Sequence, residues 1–138
     1  MIITFVDAGV LIAAARGRTE VSAQAMAILD DPDRSFASSE FVRLEVLPKA
    51  LFNRKSDEVE FYLEFFHAVS YWPANTDAVV RHAYEIGVKF GLAALDALHV
   101  AAAISTGAEE IVTTEKRGKP LHRTTDIRVR SVQADSTS

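Results

Sequence analysis

The sequence has no cysteine. That excludes a disulfide framework, a thiolate nucleophile and zinc held by Cys, and it fits a reducing cytoplasm. It also has no apolar run approaching the ~20 residues needed to span a bilayer, so no membrane role is expected. The apolar start "MIITFVDAGVLIAAA" lacks basic residues and is interrupted by Asp7, so it reads as a strand and a helix start rather than a signal peptide. There is no internal repeat, low-complexity block or linker. The 138 residues suit one domain, 1–138, with 132–138 reading as a frayed tail. Nor is there an overall basic excess: the formal net charge is −4, which argues against a general nucleic-acid binder.

The charge is unevenly spread. Between Lys116 and Arg130 there are six basic residues (Lys116, Arg117, Lys119, Arg123, Arg128, Arg130) against one acid, Asp126. An acidic body with a basic C-terminal segment can place phosphate contacts beside an acidic site; a solvated, soluble end segment explains the same pattern.

Hydrophobic periodicity alternates between strand and helix. "IITFV" (2–6) is a short β-branched run of the kind found in buried parallel strands, and "VLIAAA" favours helix. Residues 19–31 read as a helix, 35–38 as a brief strand, and Ser38 or Ser39 as the cap of a helix from Glu40 in which Pro48 predicts a kink or break. Residues 56–68 form a helix with Ser56 as its cap and an aromatic stripe that reads as core. "VSYW" (69–72) is a strand closed by Pro73. A helix over 76–91 ends at Gly91, another runs from there to Gly107, 109–114 is a strand and 127–132 a final or edge strand. Strands alternating with helices predict an α/β domain with a mainly parallel sheet, whose functional crevice lies beyond the carboxyl ends of the strands.

Four acids fall near that edge. Asp7 closes the first strand, where a helix N-cap is the competing explanation. Glu45 shares a helix side with Phe41. Asp96 sits within "GLAALDALHVAAAI" (91–104), apolar all round and therefore expected to be central and buried; a carboxylate there costs several kcal/mol unless it is paired, neutralised or metal-bound. Glu115 follows the strand "EEIVTT" and on its own reads better as a loop acid. Carboxylates converging without Cys or a His pair suit a hard divalent ion, Mg²⁺ or Mn²⁺, which can activate water against a phosphodiester. His99 and Thr113 are placed behind these ligands. His99 alone reads more readily as a hydrogen-bonded core histidine than as a ligand.

At these residues the chain resembles the PIN domains, and among them the small VapC-like proteins. "ITFVDAGVLIAA" is similar to the family's first motif, "SSEFVRLEV" to the second, and "LAALDALHVAAAISTGAEEIVTTEK" to the third and fourth together, with Asp96 and Glu115 at matching positions. The resemblance implies a three-layer α/β/α fold with a five-stranded parallel sheet and metal-dependent endonucleolytic cleavage of RNA. It implies Asp7, Glu45 and Asp96 as the acidic core and Glu115 as an outer or second-metal ligand. Arg43 and the basic segment, with Lys116, Arg117 and Lys119 foremost, would meet RNA phosphates. A homodimer and a small antitoxin partner are implied as well. Two departures stand out: Ala8 and Gly9 replace a usual Thr-Asn or similar polar pair, and Glu115 with the basic "KRGKP" replaces an Asp followed by further acids. They motivate the alternative of a PIN-like binding or regulatory module that cuts nothing. An aspartyl-phosphate enzyme fits poorly, because a dehalogenase-like phosphatase wants an Asp where Gly9 stands.

Overall fold

The computed structural model describes residues 1–132. β1 (Ile2–Val6) is followed by α1 (Ala8–Arg16), α2 (Glu20–Leu29), β2 (Arg34–Ala37), α3 (Glu40–Phe52), α4 (Ser56–Ala68), α5 (Thr76–Phe90), α6 (Ala94–Ser105), β3 (Glu110–Thr113), a 3₁₀ turn at Pro120–Arg123 and β4 (Arg128–Ser131). The sheet is parallel throughout, in the order β2-β1-β3-β4. The crossover to β2 and the crossover from β2 to β3 run in opposite directions past β1. Right-handed connections therefore put helices on both faces, which gives three layers, α/β/α. Phe5, Val6, Ile111 and Val112 of the two central strands are fully buried, as strands covered on both faces must be.

Among the described residues the sheet has four strands, not the expected five. The "VSYW" segment pairs with the β2 edge only through an isolated parallel bridge, Ala37 with Tyr71, supported by Ser38 N–H to the Tyr71 carbonyl and Ser70 N–H to the Phe36 carbonyl. Pro73 has no N–H with which to continue the ladder.

Local expectations hold with informative exceptions. Ser39, not Ser38, caps α3 by accepting from Val42 N–H. Pro48 does not break α3; Leu44 and Pro48 are both exposed, so water can satisfy the carbonyl that proline leaves unpaired. Ser56 is the first residue of α4 rather than its cap. The aromatic stripe is core, with Tyr62, Phe65 and Phe66 buried. Gly91 ends α5 in the left-handed conformation, φ 68°. Val132, assigned to a frayed tail, is buried and donates its N–H to the Thr113 carbonyl, so the fold extends through it. Residues 133–138, the rest of that expected tail, lie outside the described residues.

One buried ion pair was not anticipated. Arg34 of β2 donates from Nη1 to Glu110 of β3 and, at 2.7 Å, to Thr4 Oγ1 of β1. Its Nε donates to Asp31 at 3.0 Å, and the Thr4 hydroxyl donates to Glu110 at 2.9 Å. Three strands are thus tied by one guanidinium away from the edge where Asp7 lies.

Candidate active site

β1 continues to β2 on one side, while β3 lies on its other side. The crevice beyond their carboxyl ends is the topological switch point, where open α/β sheets build sites. Asp7 follows β1 directly and Glu115 follows β3. α6 leads into a parallel strand and so runs antiparallel to the sheet, which brings its first turn, with Asp96, to the same edge.

The Asp7 carboxylate accepts from two sides. Oδ1 accepts from Ala8 N–H at 2.8 Å as the N-cap of α1, and Oδ2 accepts from the Thr113 hydroxyl at 2.8 Å. Cap and site member are therefore compatible roles. Glu45 Oε1 lies 2.5 Å from His99 Nε2, which is 3.8 Å from Asp7 Oδ1. His99 is buried against the Phe5 ring, centroids 6.1 Å apart. Among the described residues its Nδ1 has no partner. A bare lone pair is cheaper to bury than an unpaired N–H, so we assign the proton to Nε2, where it is donated to Glu45.

One oxygen each from Asp7 and Glu45 and one nitrogen of His99 lie within 4.8 Å of one another. The two carboxylate oxygens fit a divalent cation, open to solvent on the Glu45 side, while the His99 Nε2–H, donated to Glu45, holds that carboxylate in place. His99 is thus close to both carboxylates and bonded to one of them.

Asp96 is half-buried. The wholly buried helix expected from its composition begins later, since Ala93, Ala94 and Leu95 are exposed and burial is continuous only from His99 to Ala103. No side chain caps α6, so Asp96 does not act as its N-cap. Burial, first, and then the charges of Asp7, Glu115 and Glu45 push its pKa above the usual aspartate value, with His99 opposing. Glu115 is therefore near enough to act on Asp96.

An acid with a raised folded pKa holds its proton in the folded state after the unfolded chain has released it. Stability then falls as pH rises from the ordinary aspartate value, about 3.9, through the raised one. Asp96→Asn should leave the protein in EDTA as stable as the parent or more so at neutral pH, and should flatten that decline. Thermal scans from about pH 4 to 7 would show it; a variant less stable by ~1 kcal/mol or more would mean that Asp96 makes a structural hydrogen bond instead.

Around Glu115 the backbone is held twice: its N–H donates to the Thr113 hydroxyl at 3.1 Å, and its carbonyl accepts from His122 Nε2 and Ser131 Oγ, both at 2.9 Å. Nothing local in the sequence signals these bonds. Lys116, Arg117 and Lys119 are exposed on the turn that follows. Arg123 instead donates to the Phe90 and Gly91 carbonyls at the end of α5. Arg43 pairs with Glu40, its Nε 3.6 Å from Oε1. Two residues from Glu45, it points elsewhere around α3, with its guanidinium 5.1 Å from the ring centroids of both Phe66 and Trp72.

The PIN domain family model matches residues 4–125. The chain belongs to the PIN domain family. Solved structures share the fold of this PIN domain at low identity. VapBC2 from Rickettsia felis, bound to a DNA fragment from the promoter, superposes with a TM-score of 0.71 at 14% identity, covering 94% of this chain and 98% of that one. DNA-bound VapBC from Salmonella typhimurium gives 0.70 at 16%, covering 96% and 99%. VapBC-1 from nontypeable Haemophilus influenzae gives 0.68 at 16%, covering 95% and 98%. No curated protein matches by sequence.

Proposed function

We propose that this PIN domain is a divalent-cation-dependent endoribonuclease, the toxin of a toxin–antitoxin pair acting in the cytoplasm. The observation that carries the reading is the convergence of Asp7, Glu45 and His99 at the β1/β3 switch point, with Asp96 and Glu115 close by. Asp7, Asp96 and Glu45 would hold Mg²⁺ or Mn²⁺, with Glu115 outside them. When bound, such a cation polarises a phosphodiester and lowers the pKa of water. Thr113 orients the Asp7 carboxylate, and His99 orients Glu45 by donating to it. Lys116, Arg117 and Lys119, projecting from the turn after Glu115, are the natural contacts for RNA phosphates.

The test is cleavage of single-stranded or structured RNA with Mg²⁺ or Mn²⁺, stopped by EDTA. Phosphate contacts release counterions, about 0.7 per contact for single strands, so Lys116→Ala with Lys119→Ala should flatten the salt dependence of RNA binding. Activity that survives EDTA would overturn the metal reading. A folded, metal-binding protein that cuts no RNA would favour the non-catalytic module.

The shared fold with chains from VapBC complexes supports a small antitoxin as partner. A second copy has its own support. Val80, Tyr84 and Val88 recur every four residues on α5, 45%, 79% and 80% exposed, an apolar stripe of the kind that helices bury against one another. Tyr84→Glu should convert a dimer to a monomer in sedimentation; an unchanged mass would remove this face from the interface.

A further inference from the structure

Gly9 occupies the second position of α1, where its backbone is not in the left-handed region that would demand glycine. In a helix glycine is less favourable than alanine, so another reason must hold it there. A Cβ at position 9 would overlap the Thr114 hydroxyl, and the Thr114 Cβ and Cγ2 would lie 3.5 and 3.8 Å from it. The end of β3 is thus seated directly on the backbone of α1, two residues after Asp7 and one residue before Glu115. The neighbouring bonds share this geometry. Thr113 links Asp7 to the Glu115 N–H, and His122 with Ser131 hold the Glu115 carbonyl from the other side. A side chain added at position 9 would therefore press on the Thr114 hydroxyl, between the residue that caps α1 and the bonded backbone of Glu115.

We propose that Gly9 is a positioning residue that sets the separation of the Asp7 and Glu115 carboxylates through its direct contact with Thr114, and thereby sets the affinity of the site for a divalent cation. The inference rests on the cation-site reading above and deepens it. It also accounts for the departure at Ala8–Gly9: the space that a side chain at position 9 would fill is taken by a hydroxyl arriving from β3.

The experiment is Mn²⁺ binding to the folded protein, read by calorimetry or by the spin resonance of free Mn²⁺, with circular dichroism confirming the fold. Gly9→Ala should weaken Mn²⁺ binding about tenfold or more. In a Thr114→Ala background, which removes the overlapping hydroxyl, the same change should cost less than about threefold. Thr114→Ile adds bulk from the strand side and should also weaken binding about tenfold, which keeps the test open if Gly9→Ala does not fold. Wild-type affinity in Gly9→Ala, or in Thr114→Ile, would overturn the proposal even with a shifted melting temperature, because a structural role alone moves stability and not affinity. An equal loss in both backgrounds would overturn it too. A folded wild type that binds no Mn²⁺ would refute the cation-site reading, and this proposal with it.

Discussion

Asp7→Asn should reduce RNA cleavage at least about a hundredfold while leaving the folded state within ~1 kcal/mol of the parent. The rate effect follows from position: Asp7 has one oxygen within the cluster formed with Glu45 and His99. Loss of a group that merely supports a metal ligand typically costs 10–100-fold, and loss of one preorganised donor about 10²–10³, so loss of the ligand's charge should cost no less. The modest stability effect follows from shape. Asparagine keeps one side-chain oxygen to accept from Ala8 N–H, and asparagine caps helices as well as aspartate does. The Thr113 hydroxyl, which donates to Oδ2, can rotate to accept from the new amide. Cleavage assays with matched urea unfolding curves separate the two effects. A variant that still cuts at more than a tenth of the parental rate would show that the carboxylate is needed only as a cap.

The second large effect lies away from the site. Glu110→Ala should destabilise the protein by roughly 3–5 kcal/mol, because it strands a buried guanidinium. The Arg34 and Glu110 side chains are each only 5% exposed, so water cannot replace the lost carboxylate. Asp31, on a side chain 32% exposed, compensates from one direction only. The paired change Arg34→Met with Glu110→Leu should recover most of the loss, since well-packed apolar residues often replace a buried ion pair without penalty. Urea midpoints of the single and double variants would decide. If Glu110→Ala costs under ~1 kcal/mol, the pair is solvated and ties no strands.

The contrast between the two ends of the sheet explains what was legible in the sequence. Strand and helix positions come from short-range signals: the β-branched run at 2–6, the cap at Ser39, Gly91 after α5. Asp7, Glu45, Asp96 and Glu115 were visible as acids because each interrupts an apolar pattern or closes a strand. The fifth strand was not separable from a bridge, because "VSYW" has strand composition while its pairing depends on where Phe36 and Tyr71 meet. The Arg34–Glu110 pair spans 76 residues, and an acid beside another acid in "EEIVTT" reads as surface until the strand it joins is known. His99 stands one turn after Asp96 in the sequence, but its closeness to Glu45 is a contact between α6 and α3 that no spacing within either helix encodes. Gly9 read as a missing donor, and only the packing of β3 on α1 shows what fills its place.

Strand β1 is made first and sits second in the sheet, with β2 on one edge and β3 on the other. As the chain emerges during synthesis, β2 can pair with it early, but its partner on the site side begins only at Glu110. Until then one edge of β1 waits, and Asp7 has neither the Thr113 hydroxyl to hold it nor Glu115 beside it. Such long-range closure is intrinsically slow. A truncated or still-growing chain that already carries Asp7, Glu45 and Asp96 would therefore be inert, and the complete carboxylate set would first exist only after the rest of α6, all of β3 and Glu115 had been laid down and docked.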